Sequence, residues 1–135
     1  MQGKKVLVIM AAATVLLGAC KRETKDERFK RECEQYTQKD CPREMMEGIV
    51  LDSLSYDIDS RTRSEFYTLS GTLDNDSLLT DDVRNDLRES LLKDVKNSLQ
   101  LKAYKDEGIS MRYVYISQAS GKVLIELTLK QEDYK

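Results

Sequence analysis

The chain has 135 residues, with 22 lysines and arginines, 24 acids, no histidine, no tryptophan and a net charge of −2. The missing histidine removes the commonest general base and the commonest transition-metal ligand. An acidic balance argues against nucleic acid, which asks for a basic footprint, and the length suits one folded domain.

The first element is a leader. Lys4 and Lys5 precede an uncharged run from Val6 to Leu17. That run is too short to cross a hydrocarbon core, which takes about 20 residues. A basic start, a short apolar stretch and small residues before a break make an export signal over residues 1–19. Leu17-Gly18-Ala19-Cys20 resembles the lipobox of bacterial lipoproteins. The resemblance implies that Cys20 is lipidated, that cleavage falls just before it, and that the new amino group is acylated. Several acyl chains make a stable anchor, so the expected address is the bacterial cell envelope, held to a membrane but not spanning it. Lys21 stands where an aspartate would favour the inner membrane in enteric-type lipoproteins, so the outer membrane is favoured. The periplasmic or surface face stays open.

Residues 20–41 read as a charged tether, a solvated helical spacer with i,i+4 partners such as Glu27–Arg31 and Asp26–Lys30. Residues 21–32 hold six bases and four acids, a slight positive excess suited to an anionic bilayer. Cys33 and Cys41 remain once Cys20 is lipidated. In an oxidising compartment an even pair reads as a disulfide. Eight residues of unbroken helix would part them by about 12 Å, and a disulfide tolerates about 7 Å. The bridge therefore requires the chain to turn back before Cys41, for which Pro42 argues; otherwise both thiols stay free.

Residues 42–135 form the expected domain. Val50, Leu54, Tyr56 and Ile58 fall on one face, and Tyr67, Leu69 and Leu73 follow on one side of the next segment. Asp59-Ser60-Arg61-Thr62 between them is turn material, so 49–58 and 64–73 read as a β-hairpin. Val83, Leu87, Leu91, Val95 and Leu99 recur with helical period after Thr80, an N-cap residue, and Asp81-Asp82, acids suited to a first turn. Asn97-Ser98 is a break point, with a shorter turn running to Gly108 as C-cap. Ile109, Met111, Tyr113 and Tyr115 alternate, Gln118 to Gly121 turns, and Val123, Ile125, Leu127 and Leu129 alternate again. The fold class is α+β: a four-stranded antiparallel sheet in the order β-β-α-β-β, with one helix packed on one face.

The stretches "CPREMMEGIVLDSLSYD", "YTLSG", "NSLQLKAYKDEGISMRYVYISQASGKVLIELTL" and "EDY" resemble small lipoproteins and secreted proteins of Bacteroides-type bacteria. The resemblance spans roughly 41–134. It implies an exported α+β domain and carries over no activity.

Candidate sites are few. Asp74, Asp76, Asp81 and Asp82 lie close in sequence, but Leu78 and Leu79 occupy the fifth and sixth positions that an EF-hand loop would need. A polar loop entering a helix is the favoured reading. Seven tyrosines include a row that could bind a sugar or a protein, or simply pack in the strands. No histidine backs a serine, and no Gly-x-Ser-x-Gly or Ser-x-x-Lys occurs. The expectation is a non-enzymatic, lipid-anchored envelope module with no cofactor, no metal and no nucleic-acid partner. It would meet the membrane through acyl chains on Cys20, and a protein or envelope component through its sheet. The alternative is a calcium-dependent binder or small hydrolase using the acidic loop 74–82.

Overall fold

The structure, a computed structural model, describes residues 21–135. The leader and Cys20 lie outside the described residues.

The first helix, α1 (Lys25–Asp40), starts where its sequence says it should. Thr24 is the N-cap: its hydroxyl accepts from Glu27 N and the Glu27 carboxylate accepts from Thr24 N, a capping box. The helix ends at Cys41, the residue before Pro42, where helical backbone is disfavoured. Its inner stripe is Phe29, Cys33 and Tyr36, spaced i, i+4, i+7. Phe29 and Cys33 are fully buried in the core. The expected tether over residues 20–41 is thereby corrected: α1 is part of the folded body, which begins at Thr24 and not at residue 42. Of the expected ion pairs neither forms. Arg31 reaches back to Glu23 at 2.7 Å and Arg28 pairs with Glu32 at 3.5 Å.

Five strands follow: β1 (Arg43–Met46), β2 (Ile49–Asp57), β3 (Thr62–Leu69), β4 (Ser110–Ser117) and β5 (Val123–Leu129). They lie side by side in chain order. β1–β2, β2–β3 and β4–β5 are antiparallel, but β3 and β4 are parallel. The expected four-stranded antiparallel sheet is therefore a five-stranded mixed one. The reason is the connection: α2 (Asp81–Asn97) and α3 (Lys102–Asp106) lie between β3 and β4. A helix of 17 residues returns the chain by about 25 Å, and strand–helix–strand is the route that parallel neighbours require. The strand expected over 64–73, β3, also stops early at Leu69, and Gly71–Leu73 forms a 3-10 turn.

Gly48 closes the β1–β2 turn with φ +84°, and a Cβ there would stand 3.0 Å from Ser70 O. Only glycine meets both demands. Gly108, with φ +68°, ends the α3 segment as its spacing predicts.

Register puts Arg63, Tyr56, Met111 and Leu129 on one face, continued by Glu65, Leu54, Tyr113 and Leu127 and by Tyr67, Leu51, Tyr115 and Ile125. Both long helices cover this face. Thr80 caps α2 as expected, its hydroxyl accepting from Val83 N at 3.3 Å. Of the α2 stripe, Val95 is buried and Leu87 and Leu91 pack against the core, whereas Val83 and Leu99 are exposed. A last turn, α4 (Gln131–Tyr134), buries Tyr134, whose hydroxyl donates to Ile109 O at 2.7 Å. Among the described residues, no helix is long and apolar enough to cross a membrane.

Candidate functional site

β3 alternates inward as Arg63, Glu65, Tyr67, so two opposite charges lie on the face that should be apolar. They form an ion pair, Arg63 Nη1 to Glu65 Oε1 at 3.0 Å, with side chains only 10% and 17% exposed. Tyr67 donates to the other oxygen, Glu65 Oε2, at 3.0 Å. The guanidinium lies 5.4 Å from the centre of the Tyr104 ring of α3. Nε of Arg63 is sealed from solvent and has no hydrogen-bond partner among the described residues. An orphan donor of this kind costs about 1–3 kcal/mol.

These residues sit beneath a groove. It runs between α1 and the α2–α3 connection and holds a cavity of about 390 Å³. Leu51, Leu54, Arg63, Glu65 and Tyr67 floor it, Cys33 and Tyr36 form one wall, Gln100, Leu101 and Tyr104 the other, and Arg43 and Met45 of β1 stand at its mouth. A second cavity of about 210 Å³ continues past Leu101 toward Asp94 and Tyr113 and shares the Arg63–Glu65–Tyr67 floor. Phe29, stacked on Tyr104 at 4.2 Å between ring centres, helps to hold α1 as that wall.

Burial works against the Arg63 charge, but Glu65, together with Cys33 and Tyr104, raises the pKa. Burial pushes the Cys33 thiol up, and its contact with Tyr104 Oη, 3.8 Å away, does not reverse this. Burial, then Glu65, raises the Tyr67 phenol far above its ordinary value, and Tyr115 is pushed up to about 12. At neutral pH burial therefore leaves Cys33 a protonated thiol and Tyr67 and Tyr104 protonated phenols, beside the Arg63–Glu65 pair.

The residues singled out from sequence fall elsewhere or fall apart. Cys33 and Cys41 are both free, Cys33 in the core and Cys41 half-buried. The expected disulfide is overturned because α1 runs unbroken to Asp40, so the chain does not turn back between them. Asp74 accepts from Ala119 N at 3.0 Å, and the Ser117 side chain, followed by that backbone N–H, holds its carboxyl below the usual range. Asp76, Asp81 and Asp82 are exposed. Among the described residues no three acids or cysteines gather into a metal site, so the acidic loop 74–82 supports neither the calcium nor the hydrolase alternative. The tyrosine row is core packing: Tyr56, Tyr104, Tyr113, Tyr115 and Tyr134 are buried, and Tyr67 stacks on Tyr115 at 4.9 Å. What sequence reasoning missed is Arg63-x-Glu65-x-Tyr67, whose parity with Leu69 already put charges on the inner face.

A family model described as "Domain of unknown function (DUF8479)" matches residues 24–125. The chain belongs to the DUF8479 family. That match opens at Thr24, the N-cap of α1, so the family unit includes the helix as the structure does. No curated protein matches this DUF8479 member. Its fold is similar to that of a Pseudomonas aeruginosa protein described as secreted, with a TM-score of 0.66 at 10% identity over 85% of this chain and 100% of the other. It is also similar to EpsS, the type 2 secretion system pilotin of Vibrio vulnificus, with a TM-score of 0.60 at 9% identity over 82% and 91% of the two chains. AspS, the type II secretion system pilotin of Vibrio cholerae, gives 0.57 at 11% identity over 80% and 90%. At such identities the likeness is one of fold.

Proposed function

We propose that this DUF8479 member is a lipid-anchored cell-envelope protein, attached through acyl chains on Cys20, that binds a protein partner in the α1/α2–α3 groove and catalyses no reaction. The outer membrane is the favoured address, from the Leu17–Cys20 lipobox resemblance and Lys21 after it. The observation that carries the binding role is the Arg63–Glu65 pair with its orphan Nε on the floor of a groove. A buried pair often does no better for stability than apolar residues of the same size, so its presence here fits recognition. The likeness in fold to type II secretion system pilotins of two Vibrio species agrees with an interaction module.

The test has two arms. Cys20→Ser should shift the protein from the membrane to the soluble fraction; unchanged fractionation overturns the anchor. Photo-crosslinkers placed at Gln100 or Leu101 in cells should give a discrete adduct, absent when the same group stands at Ser55 on the far sheet face. Equal adducts from both faces, or none from the groove, overturn the binding role.

A further inference from the structure

The two edges of the sheet are treated in opposite ways. At β5, α2 lies against the strand, and Arg84 Nη1 and Arg88 Nη1 donate to Leu124 O and Thr128 O at 3.0 and 3.2 Å. Guanidinium groups on those carbonyls close that edge to pairing. At β1 all four residues are exposed, and among the described residues no side chain or other strand hydrogen-bonds to the outer side of its backbone. Two large apolar side chains stand bare there, Met45 at 49% and Met46 at 60% exposure. Edges are normally blunted, and an unpaired strand with exposed methionines is a template for a further strand.

Charge selects the occupant. Arg43 pairs in register with Leu51, so its side chain belongs to the groove face, where its Nη1 reaches Tyr36 Oη at 3.2 Å. Among the described residues no carboxylate stands within ion-pair distance of Arg43. Glu32 and Glu65, the acids of the same groove, are already paired with Arg28 and Arg63. A chain laid along β1 would set alternate side chains at the groove mouth, beside Arg43 and Met45. We infer that β1 is the docking edge for an extended segment of a partner protein, whose groove-facing positions carry an acidic residue for Arg43 and an apolar one for Met45. This deepens the proposed groove binding and rests on it. The strand's four residues and the bulge between Glu44 and Met46 limit unguided stacking, so backbone pairing supplies affinity and the groove mouth supplies choice.

The probe is a capped peptide of Thr-Glu-Thr-Leu repeated twice, titrated by fluorescence anisotropy against the full mature chain in detergent. Saturable binding is expected, weakened by about tenfold or more in Arg43→Glu. Amide exchange should slow at residues 43–46 and stay unchanged at 123–129. A peptide N-methylated at its four central backbone nitrogens should not bind, since it cannot donate to the edge. No binding, equal binding of the N-methylated peptide, or protection at β5 each overturns the inference. Groove crosslinks from Gln100 that persist in the face of such a result leave the groove reading standing; their loss with the peptide still bound does the reverse.

Discussion

Arg63 and Cys33 show how burial decides what a side chain is for. Arg63 keeps its charge inside the protein, with Glu65 beside it as ion-pair partner. Cys33, under Tyr104, is held as a neutral thiol by burial, and Cys41, only half-buried, is also raised, by burial first and then by Asp40. Iodoacetamide at neutral pH should therefore modify Cys41 first and Cys33 only on unfolding, with both thiols free before any reductant is added; intact-mass measurement checks this. A protein that resists alkylation at both until reduced would restore the bridge. The chemistry of Cys41-Pro42 was legible as a helix stop, but not where the helix began. A disulfide inferred from spacing depends on that second fact. Arg63 and Glu65 were legible by parity alone, since charged residues two apart on the side of Leu69 must either face inward or break the strand.

The element most misjudged from sequence is α1. Its charge density over Lys21–Arg31 suggests a solvated spacer, yet Phe29, Cys33 and Tyr36 draw a three-residue stripe at helical spacing, enough to dock a helix once a sheet is there to receive it. Local charge counting does not register so narrow a stripe. Phe29 is 0% exposed and touches both Tyr56 and Tyr104. Phe29→Ala should cost about 3–5 kcal/mol in urea unfolding; a change below about 1 kcal/mol would return α1 to the status of a spacer. The strands and α2 were legible because each shows an unmistakable period. Their partners were not, because β1 is too short to alternate visibly and the parallel β3–β4 pairing is written in the length of a connection, not in any residue of either strand.

Across the whole molecule, one pole is tied by a charge network. Tyr56 Oη donates to Asp26, Arg61 reaches Asp26 at 3.4 Å and Glu107 at 3.7 Å, and Lys25 pairs with Glu107. The knot joins the start of α1, the β2–β3 turn and the end of α3. The hydrogen bond from Tyr56, followed by Arg61, holds the Asp26 carboxyl below its ordinary value of 3.8. A depressed carboxyl stabilises above its unfolded value, and that help fades as pH falls through the folded one. The melting temperature of Asp26→Asn should thus lie below the parent at neutral pH and converge on it below about pH 3.8; a gap independent of pH would show that the carboxylate's charge plays no part. The same pole carries a consequence for address. Between Cys20 and the cap at Thr24 only Lys21, Arg22 and Glu23 intervene, and Glu23 is already folded back on Arg31. Four residue steps from Cys20 to Thr24 stretch about 14 Å at most. With the anchor proposed at Cys20, so short a leash would hold the body flush with the headgroups, and whatever it captures would have to come down to the lipid to be caught.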